Sequence, residues 1–213
     1  MSEIEEGLKF ATAVVDATSK TGSYVSRLFG KAPEDLIKLL IGDKLEIKLY
    51  ESQSRLTDKL NDDLAKRGIT ERYRPVPPKF AIPIILNASI EEDDYLQDMW
   101  CKLITNCIDP DFDEKIIRYA FIEIIKNLTS LDAKTLKLIY DITIEPNEYY
   151  INKYHHAPSL SYEKIKEETN LANREIDMSL DNLERVGCLA YIVISRNYKI
   201  TELGHSFILA CMN

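Results

Sequence analysis

Apolar residues recur in four-residue steps along the middle of this chain. Between Glu91 and Ile108, the pairs Tyr95-Leu96, Met99-Trp100, Leu103-Ile104 and Cys107-Ile108 alternate with polar Gln97-Asp98 and Thr105-Asn106. From Glu114 to Leu128 the pairs Ile116-Ile117, Ala120-Phe121 and Ile124-Ile125 repeat the pattern. Such spacing gives each of two helices one broad apolar face. Joined by Asp109-Pro110-Asp111-Phe112-Asp113, they are expected to pack antiparallel. Tyr95, Leu96, Trp100, Ile104, Ile117, Phe121 and Ile125 should then share one buried core.

Upstream, Pro33-Glu34-Asp35 reads as a helix start, with proline at the first position and acids in the first turn. The helix continues with interruptions to Lys66-Arg67, where Gly68 is a natural stop. Leu45, Leu49, Leu56, Leu60 and Leu64 lie along it at three- or four-residue steps with one wider gap. A leucine row of this kind needs a partner helix or a core. Pro75, Pro77 and Pro78 form a rigid connector that separates the row from the central helices. A weaker stripe, Ile4, Leu8, Ala11 and Val15, also needs a surface. The expectation is therefore a second chain and a symmetric homo-oligomer, with a fold-back onto the bundle as the other reading. Beyond the connector, Pro83 opens Ile84-Ile85-Leu86, and periodicity leaves helix and extended chain both open there.

Ser130 is expected to cap a helix through about Ile142, and Thr143 to Pro158 reads as a connector. From Leu160 onward the pattern changes. Ser161 caps a short helix, Tyr162 to Glu168. Asn173 caps a second, with Ile176, Leu180 and Leu183 on one face and Gly187 at its end. Leu189 to Ile194 reads as a strand, Ser195-Arg196-Asn197 as a turn, Tyr198 to Thr201 as the returning strand, and Glu202 to Cys211 as a last helix. Helix, turn, helix and hairpin in that order describe a winged helix. The expected fold is mainly α: a helical bundle followed by a small C-terminal winged-helix (α+β) domain. The boundaries fall at 1–70 for N-terminal helices, 71–145 for the central module and 155–213 for the winged helix.

Composition adds exclusions. The 213 residues, 45% hydrophobic and 29% charged, are those of an ordinary globular chain. A formal charge of −8 disfavours a sequence-independent grip on nucleic-acid phosphates. Cys101, Cys107, Cys188 and Cys211 are too scattered for a disulfide framework or a zinc site, which predicts reduced thiols in a cytoplasmic protein. No run approaches the about 20 apolar residues of a membrane span. Glu3, Glu5 and Glu6 stand where a secretion signal carries positive charge.

No catalytic constellation emerges. His155-His156 lack a carboxylate or thiol at ligand spacing and read as loop. Asp109, Asp111 and Asp113 begin like a calcium loop, but Glu114 occupies the turn-glycine position and Ala120 that of the closing glutamate. Glu91 to Asp94 suit a helix N-terminus, where acids complement the dipole. No catalytic residue, cofactor or metal is predicted.

The connector Pro77-Pro78, the acids Glu91-Glu92-Asp93 before the Trp100 helix, Phe121-x-Glu-Ile-Ile-Lys-x-Leu128, and Ser130-Leu131-Asp132-Ala133 together resemble the abortive-infection alpha (Abi-alpha) family, a bacterial group associated with resistance to phage. The tail Ile200-Thr201-Glu202-Leu203-Gly204, with Phe207 and Cys211, is similar to that family's C-terminal end. The resemblance covers roughly the last two thirds of the chain. It implies a role in phage defence and supplies no catalytic residues.

The winged helix poses the sharpest functional question. Reading DNA would fall to Asn173, Arg174 and Ser179 on the second helix and to Arg196, Asn197, Tyr198 and Lys199 in the wing. Yet Glu175, Asp177, Asp181 and Glu184 on the same helix repel phosphates. The leading reading is a non-enzymatic defence protein that binds a protein partner or itself. The alternatives are a winged-helix transcription regulator and, third, a membrane-surface effector. The third is weakened because Asp16, Lys20 and Arg27 do not form one basic face.

Overall fold

The computed structural model describes residues 47–69, 73–143 and 159–213. Leu45, the Ile4–Val15 stripe, the helix start at Pro33 and the His155-His156 pair lie outside them. By contacts the chain divides into two compact units, between Glu114 and Lys115.

The first unit holds α1 (Ile47–Lys66), α2 (Pro78–Ile90) and α3 (Asp94–Ile108). Helix α1 ends as its glycine predicts. Gly68 takes φ 66°, its N–H bonds Ala65 O and that of Ile69 bonds Leu64 O, which satisfies carbonyls the helix end leaves over. After the extended Tyr73–Pro77 connector, the Pro83 run resolves as helix. Pro78 begins it, and Asn87 Nδ2 bonds Pro83 O at 2.7 Å. Asp93 caps α3, accepting from Leu96 N at 2.9 Å, so the acids here serve the helix start.

Helix α1 packs on α2 and α3, and this corrects two expectations. Leu56, Leu60 and Leu64 are buried inside the unit, so the described leucines find their partner helices within their own chain. Leu49 lies in α1 without a described side chain. The polar positions of α3 are also covered. Gln97 and Thr105 are fully buried and Asn106 nearly so, because α1 meets them with polar groups of its own. Gln97 Nε2 donates to Ser52 O at 2.9 Å and Arg67 to Asn106 Oδ1 at 2.5 Å. Lys102 pairs with Asp63 at 2.8 Å, and Lys59 bridges Asp94 and Asp98. A pattern that read as one apolar face is a helix enclosed on both sides. Arg74 fastens the loop after α3: its backbone N–H bonds Ile108 O, and its guanidinium donates to the carbonyls of Pro110 and Phe112.

The second unit holds α4 (Ala120–Asn127), α5 (Ser130–Thr143), β1 (Ser159–Ser161), α6 (Tyr162–Thr169), α7 (Asn173–Arg185), β2 (Leu189–Ile192), β3 (Asn197–Ile200) and α8 (Glu202–Cys211). Residues expected to lengthen α4 toward Glu114 form turns instead, where the Arg118 guanidinium takes the carbonyls of Lys115 and Ile117. Trp100 and Ile104 are therefore buried in the first unit and Phe121 and Ile125 in the second. Tyr95 and Ile117 are half-buried. The two helices of the expected module thus fall in different units. Phe121 instead meets Phe207 of α8 edge to face, with ring centroids 5.6 Å apart.

The three strands form one antiparallel sheet in the order β1-β3-β2, with Leu160 opposite Tyr198 and Tyr191 opposite Tyr198 on the other side. Helix α7 packs on α5 and β2, and α8 on β3. Strand β1 is too short to show in the sequence. The hairpin turn also falls earlier than expected, at Val193–Arg196.

Candidate functional site

The residues singled out for contact lie on α7 and the β2–β3 hairpin. Helix α6 leads into α7 through Asn170 in the left-handed region, φ 52°, which asparagine tolerates better than most residues. Ser161 caps α6, its Oγ accepting from Lys164 N at 3.2 Å. Asn173 is not the cap of α7, as its spacing suggested. It is the first helical residue, and Glu175 reaches back to Ala172 N at 3.1 Å. Helix α7 ends at Gly187, φ 78°. The N–H of Gly187 bonds Glu184 O and that of Cys188 bonds Leu183 O, the arrangement seen at Gly68.

Of the proposed contact residues, Asn173, Arg174, Arg196 and Lys199 are exposed. Ser179 is not: it is 1% exposed and its hydroxyl meets no partner, because the Ile176–Leu180–Leu183 side of α7 turns it inward. Asn197 is half-buried and donates to Ser159 Oγ at 3.0 Å, which ties β3 to β1 rather than leaving it free to read a ligand. Tyr198 is half-buried against Tyr191, ring centroids 5.1 Å apart. Strand alternation places Lys199 on the opposite side of the sheet.

The side of the hairpin that faces α7 is acidic and aromatic. Glu184 accepts the Tyr191 backbone N–H at 2.7 Å. Burial, then the charges of Glu184, Asp181 and Asp177 and the neighbouring Tyr191, push the Tyr198 phenol above its ordinary pKa. Tyr162 is raised as well, first by its hydrogen bond to the Asp177 carboxylate. At the hairpin tip Val193 is 76% and Ile194 98% exposed, and Met178 on α7 is 65% exposed. Periodicity had placed Val193 and Ile194 in a strand, so their exposure was missed.

Sequence reasoning also missed the polar frame that holds this face. Asp132 is 4% exposed. Its Oδ2 accepts from Thr129 N at 2.8 Å, Thr129 Oγ1 at 2.9 Å and Asn182 Nδ2 at 2.8 Å. In return Asp132 N donates to Thr129 Oγ1 at 3.2 Å. Thr129, not Ser130, thus caps α5, and the same carboxylate ties α5 to α7. Thr129-x-x-Asp132 is the signal that would have found it. At the other end Thr201 caps α8, accepting from Gly204 N at 2.9 Å while donating to Gly187 O at 2.6 Å. A Cβ on Gly204 would lie 2.2 Å from Cys188 O, so only glycine lets α8 approach the end of α7 this closely.

All four cysteines are buried and none is in a disulfide. Burial pushes the thiols of Cys101, Cys107 and Cys188 up to about 12, so none of these three is a thiolate nucleophile at neutral pH. No helix among the described residues is long and apolar enough to cross a membrane.

The abortive infection alpha family profile matches residues 51–211. The chain belongs to the abortive infection alpha family. The match begins within α1 and runs to the end of α8, so it takes in the helix that precedes Pro77-Pro78, the first residues of the resemblance. Membership points to a role related to abortive infection. No curated protein and no solved structure matches the chain.

Proposed function

We propose that this abortive infection alpha protein is a non-enzymatic phage-defence protein of the cytoplasm that acts by binding a macromolecular partner. Its C-terminal unit is read as a winged helix turned to protein contact. Helix α5, β1, helices α6 and α7 and the β2–β3 hairpin follow the order of that motif, with β3 between β1 and β2. The observation that carries the reading is the surface of α7. The helix that would enter a DNA groove exposes Glu175, Asp177 and Asp181, and Ser179 is turned into the core. Carboxylates at that position meet phosphates at close range and repel them. Asn173, Arg174, Arg196 and Lys199 remain as exposed polar or basic residues, and they are too few to offset the acids across a duplex.

The test combines two measurements. Expression of the chain should lower phage plating on a bacterial host, and the purified protein should give no submicromolar complex with a generic duplex at physiological salt. A salt-dependent submicromolar complex that is lost on Arg174→Ala or Arg196→Ala would replace this reading with that of a transcription regulator.

A further inference from the structure

The hairpin tip and its α7-facing side are the most exposed apolar surface among the described residues of the second unit. Val193 and Ile194 stand at 76% and 98% exposure and Tyr191 at 41%. Isolated apolar side chains on a surface need no explanation, but adjacent ones at a hairpin tip, continuous with an aromatic pair, mark a contact site. What the surface fits follows from the charge around it. Asp177, Asp181 and Glu184 are close enough to raise the Tyr198 phenol, Lys199 lies on the opposite sheet face, and the one other basic residue of the hairpin, Arg196, sits in the turn beyond the Tyr191–Tyr198 pair. Tyrosine faces next to carboxylates attract ammonium and guanidinium groups, through the ring quadrupole and direct charge pairing.

We propose that the β2–β3 hairpin and the acidic side of α7 dock a cationic polypeptide segment. An apolar side chain of that segment packs on Val193 and Ile194. A Lys or Arg side chain lies along the Tyr191–Tyr198 pair toward Asp177 and Asp181. The inference rests on the partner-binding reading above and supplies the chemistry of the partner. It also gives the exposed carboxylates of α7 a role, where a DNA-binding helix has them as a liability.

The test is fluorescence anisotropy of the full chain with a labelled amphipathic peptide of lysine and leucine. A glutamate–leucine peptide, a generic duplex and anionic lipid vesicles serve as the other probes. The expected result is saturable binding of the lysine peptide alone, weakened by added salt. Ile194→Asp and Asp181→Lys should each weaken it by about tenfold or more, with the circular dichroism unchanged because both side chains are exposed. A lysine–alanine peptide of equal charge that binds as well would overturn the apolar half of the proposal. Equal binding of the two variants, of the glutamate peptide or of vesicles would overturn the whole. So would a dimer in light scattering that Ile194→Asp dissociates, since a second copy would then occupy the face. If both variants still protect against phage as the wild type does, this docking surface falls and the partner-binding reading stands. If the wild type fails to protect, it is that reading which falls.

Discussion

Replacing Gly204 by alanine isolates one backbone approach and gives a magnitude from geometry. The added Cβ would lie 2.2 Å from Cys188 O and 3.0 Å from Cys188 C and Cα. Relief requires α8 and the Cys188 carbonyl to separate by roughly 1 Å, since carbon needs some 3.5 Å from its neighbours. That movement strains the bonds made beside it, Thr201 N to Cys188 O at 3.0 Å and Thr201 Oγ1 to Gly187 O at 2.6 Å. Overpacking costs about 1–3 kcal/mol, and each weakened bond about 0.5–1.5 kcal/mol. Gly204→Ala should therefore destabilise by roughly 2–6 kcal/mol. Two other glycines calibrate it. Gly187 has φ 78° and its Cβ would meet only the flexible end of Leu203 at 3.3 Å, whereas Gly68 has φ 66° and open space. Alanine at either carries the left-handed penalty of about 1–2 kcal/mol, offset in part by lower unfolded-state entropy. The order of damage should be Gly204, then Gly187, then Gly68. Urea titration followed by far-UV circular dichroism measures it, and hydrogen exchange should place the lost protection around residues 187–204. Gly204→Ala within about 0.5 kcal/mol of wild type, or milder than Gly68→Ala, would refute the reasoning.

Three further outcomes are expected. Asp132→Ala removes an acceptor of three hydrogen bonds and should cost about 2–4 kcal/mol, with a double-mutant cycle against Asn182→Ala giving a coupling of about 0.5–3 kcal/mol. Burial alone would raise Asp63, but Lys102 and Arg67 beside it outweigh burial and hold its carboxyl below the usual value. Its stabilisation is then present above the unfolded carboxylate pKa and lost as pH falls through the folded one, so the advantage of wild type over Asp63→Asn should be constant near neutral pH and shrink in acid denaturation. Ellman's reagent should react slowly with the native protein and rapidly with all four thiols in denaturant, because the cysteines are buried and none is in a disulfide.

Much of the architecture was legible because local chemistry decided it. Gly68 and Gly187 end their helices in the left-handed conformation their positions called for. Ser161 caps α6, and the order of elements after Leu160 emerged from apolar periodicity and turn residues alone. What stayed hidden depended on partners distant in the chain. Gln97, Thr105 and Asn106 read as a solvent face, and only α1, lying across them with Ser52 and Arg67, explains their burial. The same packing absorbed Leu56, Leu60 and Leu64, which a sequence alone could not distinguish from an intermolecular seam. Ser179 failed as a contact residue for a related reason. A hydroxyl spaced one helical turn from Ile176 and Leu183 faces inward with them.

Some of the residues that carried the family resemblance set the frame of the second unit. Asp132 joins the start of α5 to α7, and Thr201 with Gly204 seats α8 against the end of α7. Each acts on the position of one helix. Yet none of them lies on the exposed side of that helix, where Asp177, Asp181 and the Tyr191–Tyr198 pair are found. A pattern of this kind specifies how rigidly α7 and its hairpin are held while leaving the chemistry of their outer surface unspecified, so recognising the family does not say what that surface contacts. On the docking reading proposed above, a surface that discriminates by charge and by an apolar anchor gains from such rigidity, because less conformational freedom is lost on binding. The physical expectation is that frame and surface variants separate. Asp132→Ala or Gly204→Ala should weaken binding in proportion to lost stability, whereas Ile194→Asp or Asp181→Lys should weaken it with stability unchanged.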